Sequence, residues 1–169
     1  MRAVTFLLGQ RTMRAFILWT FPAMKSRALI ILYFLLFSCS ALAQSIERVA
    51  LSIGLFRIDA EVAADQENRM RGLMNRRSMA PQQGMLFVFP EIGRHCMWMR
   101  NTYIPLSVAF LDQEGRIVNI EDMQPQTEDN HCASRPARYA LEMNLGWFSS
   151  KGIKPGARLS GLEKAPAPH

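Results

Sequence analysis

Apolar and polar residues alternate along two consecutive stretches of the chain, with a slip in phase between them. Val49, Leu51, Ile53 and Leu55 alternate with Ala50, Ser52 and Gly54, and then Phe56, Ile58, Ala60 and Val62 alternate with Arg57, Asp59 and Glu61. A period of two is the signature of a strand with one buried face. A slip in that period, at Leu55-Phe56, implies a bulge or a turn, and Gly54 has the conformational freedom for either.

The period then changes. Asp65 is suited to cap a short helix running to about Arg77, with Glu67 in its first turn and Met70, Leu73 and Met74 as an inward stripe. Asp65 and Arg69 have the spacing of an i,i+4 ion pair. Gly72 lowers helix stability, so its presence implies a close backbone approach.

Beyond Pro81 the chain reads as strand. Met85–Phe89 is apolar on both faces, as in a strand covered on two sides. Cys96–Arg100, Leu106–Leu111 and Arg116–Met123 follow, the last two joined by the turn Asp112-Gln113-Glu114-Gly115. Residues 124–137 form a polar loop with Pro125 and Pro136. Tyr139, Leu141 and Met143 alternate again, 146–151 suits one helical turn, and 157–162 closes the domain. The predicted fold is mainly β: a compact barrel or sandwich of six to eight short strands, with one short helix near residues 65–77.

Composition changes where this domain begins. The chain has 169 residues and a formal charge of +6. Residues 1–43 hold Arg2, Arg11, Arg14, Lys25 and Arg27 and no acid, which leaves 15 basic against 14 acidic residues in 44–169. The charge therefore gives no support for a nucleic-acid partner. Lys25 and Arg27 precede an apolar run from Ala28 to Phe37, and Ala41-Leu42-Ala43 completes the pattern of a secretory signal with cleavage after Ala43. The run is ten residues, against about 20 needed to span a bilayer. Met24 is a suitable start for such a signal, which leaves residues 1–23 as an over-extended start. An uncleaved inner-membrane anchor built from 16–21 and 28–37 is the alternative, and Pro22 with the Lys25/Arg27 pair interrupts it. Lipidation at Cys39 is a third option, to which Phe37 fits poorly. The expected product is a periplasmic or secreted protein, a monomer, with a single domain over 44–163 and a frayed tail over 164–169.

Export leaves two cysteines, Cys96 and Cys132, and an oxidising compartment favours one disulfide between them. His95-Cys96 and His131-Cys132 could instead supply zinc donors, but neighbouring strand residues point to opposite faces, so one small site does not easily take all four.

Several ordered motifs have the look of a known family. Arg69-Met70-Arg71-Gly72-Leu73-Met74 with Arg76, Gly84–Phe89, Trp98-Met99-Arg100-Asn101-Thr102, Pro105-Leu106, and Leu141-Glu142 with Gly146 resemble the motifs of the DUF192 family. The resemblance covers nearly all of the chain after residue 43. It implies a small, mainly β domain, often exported in bacteria, with no established biochemical function. Ser107 departs from the pattern, because many members have Asp after Pro-Leu, so no role of that acid carries over.

Candidate chemistry divides three ways. Arg69, Arg71, Arg76, Asn101, Thr102 and Glu142 are polar residues inside those motifs, and they could line a pocket for a small or envelope-derived anionic ligand. They could equally brace loops, with Glu142 solvated or paired to an arginine. His95, Met97 and Met99 share a strand face at i, i+2, i+4 and offer donors suited to Cu(I), although methionines also fill cores. A thiol nucleophile with His95 or His131, or a carboxylate pair among Glu91, Asp112, Glu121, Asp122 and Glu142, would make a hydrolase. No cofactor motif is present. A binding or accessory module is favoured over an enzyme.

Overall fold

The alternating stretch at the start of the domain folds as a hairpin. The computed structural model describes residues 46–169; the signal, anchor and lipidation readings of residues 1–43 lie outside the described residues. Strands β1 (Arg48–Ile53) and β2 (Phe56–Ala63) pair antiparallel, with Ile53 opposite Phe56. The phase slip is a tight turn, with Gly54 in the left-handed region at φ 57°.

A crossover then returns the chain beside β2. It contains helix α1 (Gln66–Arg71), which is shorter than predicted, and strand β3 (Gln83–Gly93) runs parallel to β2. Asp65 caps α1 by accepting from the Asn68 N–H at 2.7 Å, and that bond holds its carboxyl below the usual carboxylate range. The helix ends at Gly72, which has φ 48°. A Cβ there would lie 3.3 Å from the Phe87 ring, so the backbone does approach β3 closely.

After β3 come β4 (Cys96–Met97), β5 (Leu106–Leu111), β6 (Ile117–Met123), β7 (His131–Cys132), β8 (Ala137–Asn144), the single turn α2 (Trp147–Ser150) and β9 (Leu159–Ser160). Seven strands form one sheet in the order β6-β5-β8-β3-β2-β1-β9. The sheet curls into a half-barrel. Its two edges touch at an Arg116–Arg158 bridge, where the Leu159 N–H donates to Gly115 O at 2.8 Å and the Ile117 N–H to Ala157 O at 2.9 Å. β4 and β7 form a separate two-stranded ladder, in which Cys96 lies opposite Cys132 and is joined to it by a disulfide. The chain folds as the mainly β domain its pattern predicts.

Two cores result, one on each face of the sheet. Ile58, Ala60, Leu86, Val88, Leu141 and Trp147 belong to the enclosed interior. Met85, Phe87, Phe89, Val108, Phe110 and Ala140 lie on the opposite face, where Leu73, Met97, Met99 and Ile104 cover them. Strand β3 is thus buried on both faces, as its unbroken apolar run predicts. No helix among the described residues is long and apolar enough to cross a membrane.

Candidate functional site

The cover over the second core leaves a groove between α1 and the segment 98–101. Met70, Met74, Asn75, Trp98, Arg100 and Asn101 are among its lining residues, and its volume is about 750 Å³. Met70 is 68% exposed and Trp98 44%, high values for large apolar side chains. The sequence pattern places Met70 on an inward stripe, but the structure turns it out. Helical periodicity stops at Gly72, so Leu73 is buried by the chain reversal and not by a continuing helix.

Two asparagines in the left-handed region shape the rim. Asn75 (φ 63°) donates its N–H to Asn101 O at 2.8 Å, and Asn101 itself has φ 56°. Asn tolerates this conformation better than most residues. Arg100 lies over the Trp98 ring at 5.7 Å from its centroid, with Glu128 at 3.7 Å.

The candidate arginines divide by partner. Arg69 turns its guanidinium to backbone carbonyls, donating to Ala64 O, to Val88 O at 3.2 Å and to His169 O at 3.3 Å. It does not pair with Asp65, contrary to the i,i+4 expectation. The chain end is close by, since the His169 N–H donates to Ala64 O at 3.0 Å. Arg76 pairs with Glu61, which also meets Arg48 at 2.9 Å, and so ties the segment after α1 to β2. Arg71 donates to Asn68 Oδ1 and lines the groove. Thr102 is buried, with its hydroxyl against Arg100 O at 3.4 Å. Arg71, Asn101, Thr102 and Glu142 are thus gathered around the groove or just beneath it, while Arg76 is not.

Glu142 overturns the solvated or arginine-paired expectation. It points away from Leu141 and Met143 as the alternation predicts, but that face is the covered one. It is 3% exposed, opposite Met85 and Val108, and burial pushes its carboxyl up to about 8. Among the described residues no hydrogen bond or ion pair reaches it. It faces a cavity of about 20 Å³, whose walls include Leu73, Phe87, Met97, Trp98 and Thr102.

The soft-metal set is dispersed into structural roles. Met97 and Met99 are buried in the second core. His95 stacks on Phe89 at 3.7 Å between centroids, with Nε2 2.9 Å from Glu91 O. The described residues contain no cluster of three His, Cys, Asp or Glu side chains placed to hold a metal ion. Cys96 and Cys132 are joined in the disulfide, so neither offers a nucleophilic thiol. Ser107, the departure from the family pattern, bonds to Asp122 and accepts from the Gly146 N–H at 2.9 Å, so it fastens the turn after β8.

Residues 49–161 match the family model for DUF192, described as an uncharacterized ACR. The chain belongs to the DUF192 family. The DUF192 domain is similar to the crystal structure of a proposed transcription regulator from Sinorhizobium meliloti 1021, with 41% identity and a TM-score of 0.64, over 68% of this chain and 92% of that one. It is also similar to a protein of unknown function from Novosphingobium aromaticivorans DSM 12444, with 29% identity and a TM-score of 0.66, over 70% and 89%. No curated protein matches the chain.

The pattern left Trp98, Met74, Asn75 and Arg100 out of the candidate set. Met74, Trp98 and Arg100 lie inside the family-like motifs, and Trp98 also faces away from the buried Met97 and Met99; Asn75 carried no signal.

Proposed function

We propose that this DUF192 domain is an exported accessory module that binds a small acidic ligand in the groove between α1 and segment 98–101. The observation that carries it is the pair of exposed apolar side chains, Met70 and Trp98, set in a concave surface of about 750 Å³ with Arg71, Arg100 and Asn101 around it. Apolar walls with a few convergent polar groups are what small-ligand sites offer. The Cys96–Cys132 disulfide and the Ala41-Leu42-Ala43 pattern support an oxidising compartment. A nucleic-acid role, the one a regulator would have, draws no support from a near-neutral domain.

A panel of small carboxylates and envelope-derived glycans, screened by ligand-observed NMR, tests this. Trp98→Ala and Arg71→Ala should each weaken binding tenfold or more, with the melting temperature within a few degrees of wild type. Absence of binding across the panel, or variants that simply unfold, would overturn it. Export is tested separately by the mass of the protein recovered from the periplasm, which should begin at Gln44.

A further inference from the structure

Beneath the groove, the cavity at Glu142 is an unusual chemical environment. Its volume of about 20 Å³ is room for a single group the size of water or ammonium. Phe87, Trp98, Met97 and Met74 are among its walls, aromatic and thioether surfaces that are polarizable and favour organic cations. The charged residues that share it, Arg69 and Arg71, turn their guanidinium groups to the carbonyls of Ala64, Val88 and His169 and to Asn68. The strand neighbours of Glu142, Met85 and Val108, are apolar. A carboxyl buried without a partner is destabilising, and such groups are retained where something else supplies the partner. Met70 and Trp98 border both the cavity and the groove above it.

We propose that the cavity is a seat for the primary ammonium group of the ligand, with Glu142 as its counter-ion and the ligand's apolar middle lying on Met70 and Trp98. This rests on the groove as the binding site and specifies the ligand class: an amino acid or similar zwitterion, with its acid group toward Arg71 and Arg100 and its amine inward. Binding transfers the Glu142 proton to solvent and brings the two charges together in a desolvated site.

Calorimetric titration of the purified protein with 5-aminovalerate, valerate and n-butylammonium tests the seat. Aminovalerate should bind at least tenfold tighter than either of the others at pH 8. In Glu142→Gln, whose melting temperature is measured in parallel, that advantage should disappear. In wild type, affinity for the amine probes should rise between pH 6 and pH 9 as Glu142 gives up its proton, since an alkyl ammonium keeps its charge over that range. The same titration should be flat in Glu142→Gln. Equal affinity for valerate and aminovalerate, or an amine preference that survives Glu142→Gln, overturns the ammonium seat and leaves the groove standing. No binding of any probe at millimolar concentration overturns both.

Discussion

A single carboxyl, Glu142, makes the stability of this domain depend on pH in an uncommon direction. Its folded value of about 8 lies well above the ordinary glutamate value. The native state therefore holds a proton that the unfolded chain has released at neutral pH. Stability is full below the unfolded value near 4.3 and falls as pH rises toward 8, by on the order of 5 kcal/mol at most. Glu142→Gln removes this dependence. Urea unfolding at pH 5, 7 and 9 should show the variant gaining on wild type as pH rises, and parallel curves for the two proteins would contradict the burial effect. None of this is visible in the local sequence. The alternation of Leu141, Glu142 and Met143 says only that Glu142 faces away from the interior. Leu73 and Met97, which wall its cavity, come from segments tens of residues away and carry no periodicity that points to strand β8.

Among the elements, those with a local hydrophobic or glycine pattern are the legible ones. The β1–β2 hairpin, the doubly covered β3 and the turn α2 follow from alternation, apolar runs and glycine placement. Helix α1 is legible in its start, through the cap at Asp65, but not in its end, because the apolar spacing of Met70, Leu73 and Met74 reads on past Gly72, a left-handed residue that is itself a local stop signal. The parallel pairing of β2 with β3 has no local signature at all. The β4–β7 ladder is two residues long on each side, too short to persist on backbone bonds alone. The Cys96–Cys132 link spans a sequence separation of 36, and on a chain-entropy account it stabilises the fold by about 4 kcal/mol. Replacing both cysteines by serine should lower unfolding stability by an amount of that order, read from denaturant midpoints at constant slope. A change below about 1 kcal/mol would mean that the ladder is held by its surroundings.

At the scale of the whole molecule, the half-barrel depends on the meeting of its edges. Gly115 sits at that junction with φ 76°, and a Cβ there would lie 2.8 Å from Leu159 O and 2.6 Å from Leu162 Cδ1. Gly115→Ala should therefore part β6 from β9, costing about 2 kcal/mol or more. Amide exchange at Leu159, whose N–H donates to Gly115 O, should quicken first. Exchange that quickens uniformly across the sheet would place the strain elsewhere.

Away from that junction, the side of β6 opposite β5 has no strand beside it. Its guard is Asn119, which donates to Cys132 O at 3.0 Å and accepts from the Ser134 N–H at 3.0 Å. The segment that Asn119 grips is the one the disulfide tethers. Reduction would therefore do more than loosen a loop, because it frees residues 131–134 to lift from the flank of β6 and uncovers a row of unpaired backbone groups. Reduced protein should self-associate through that strand more than the oxidised form does at the same concentration, and light scattering with and without reductant reads the difference. The bridge between Cys96 and Cys132 thus guards the protein against its own copies.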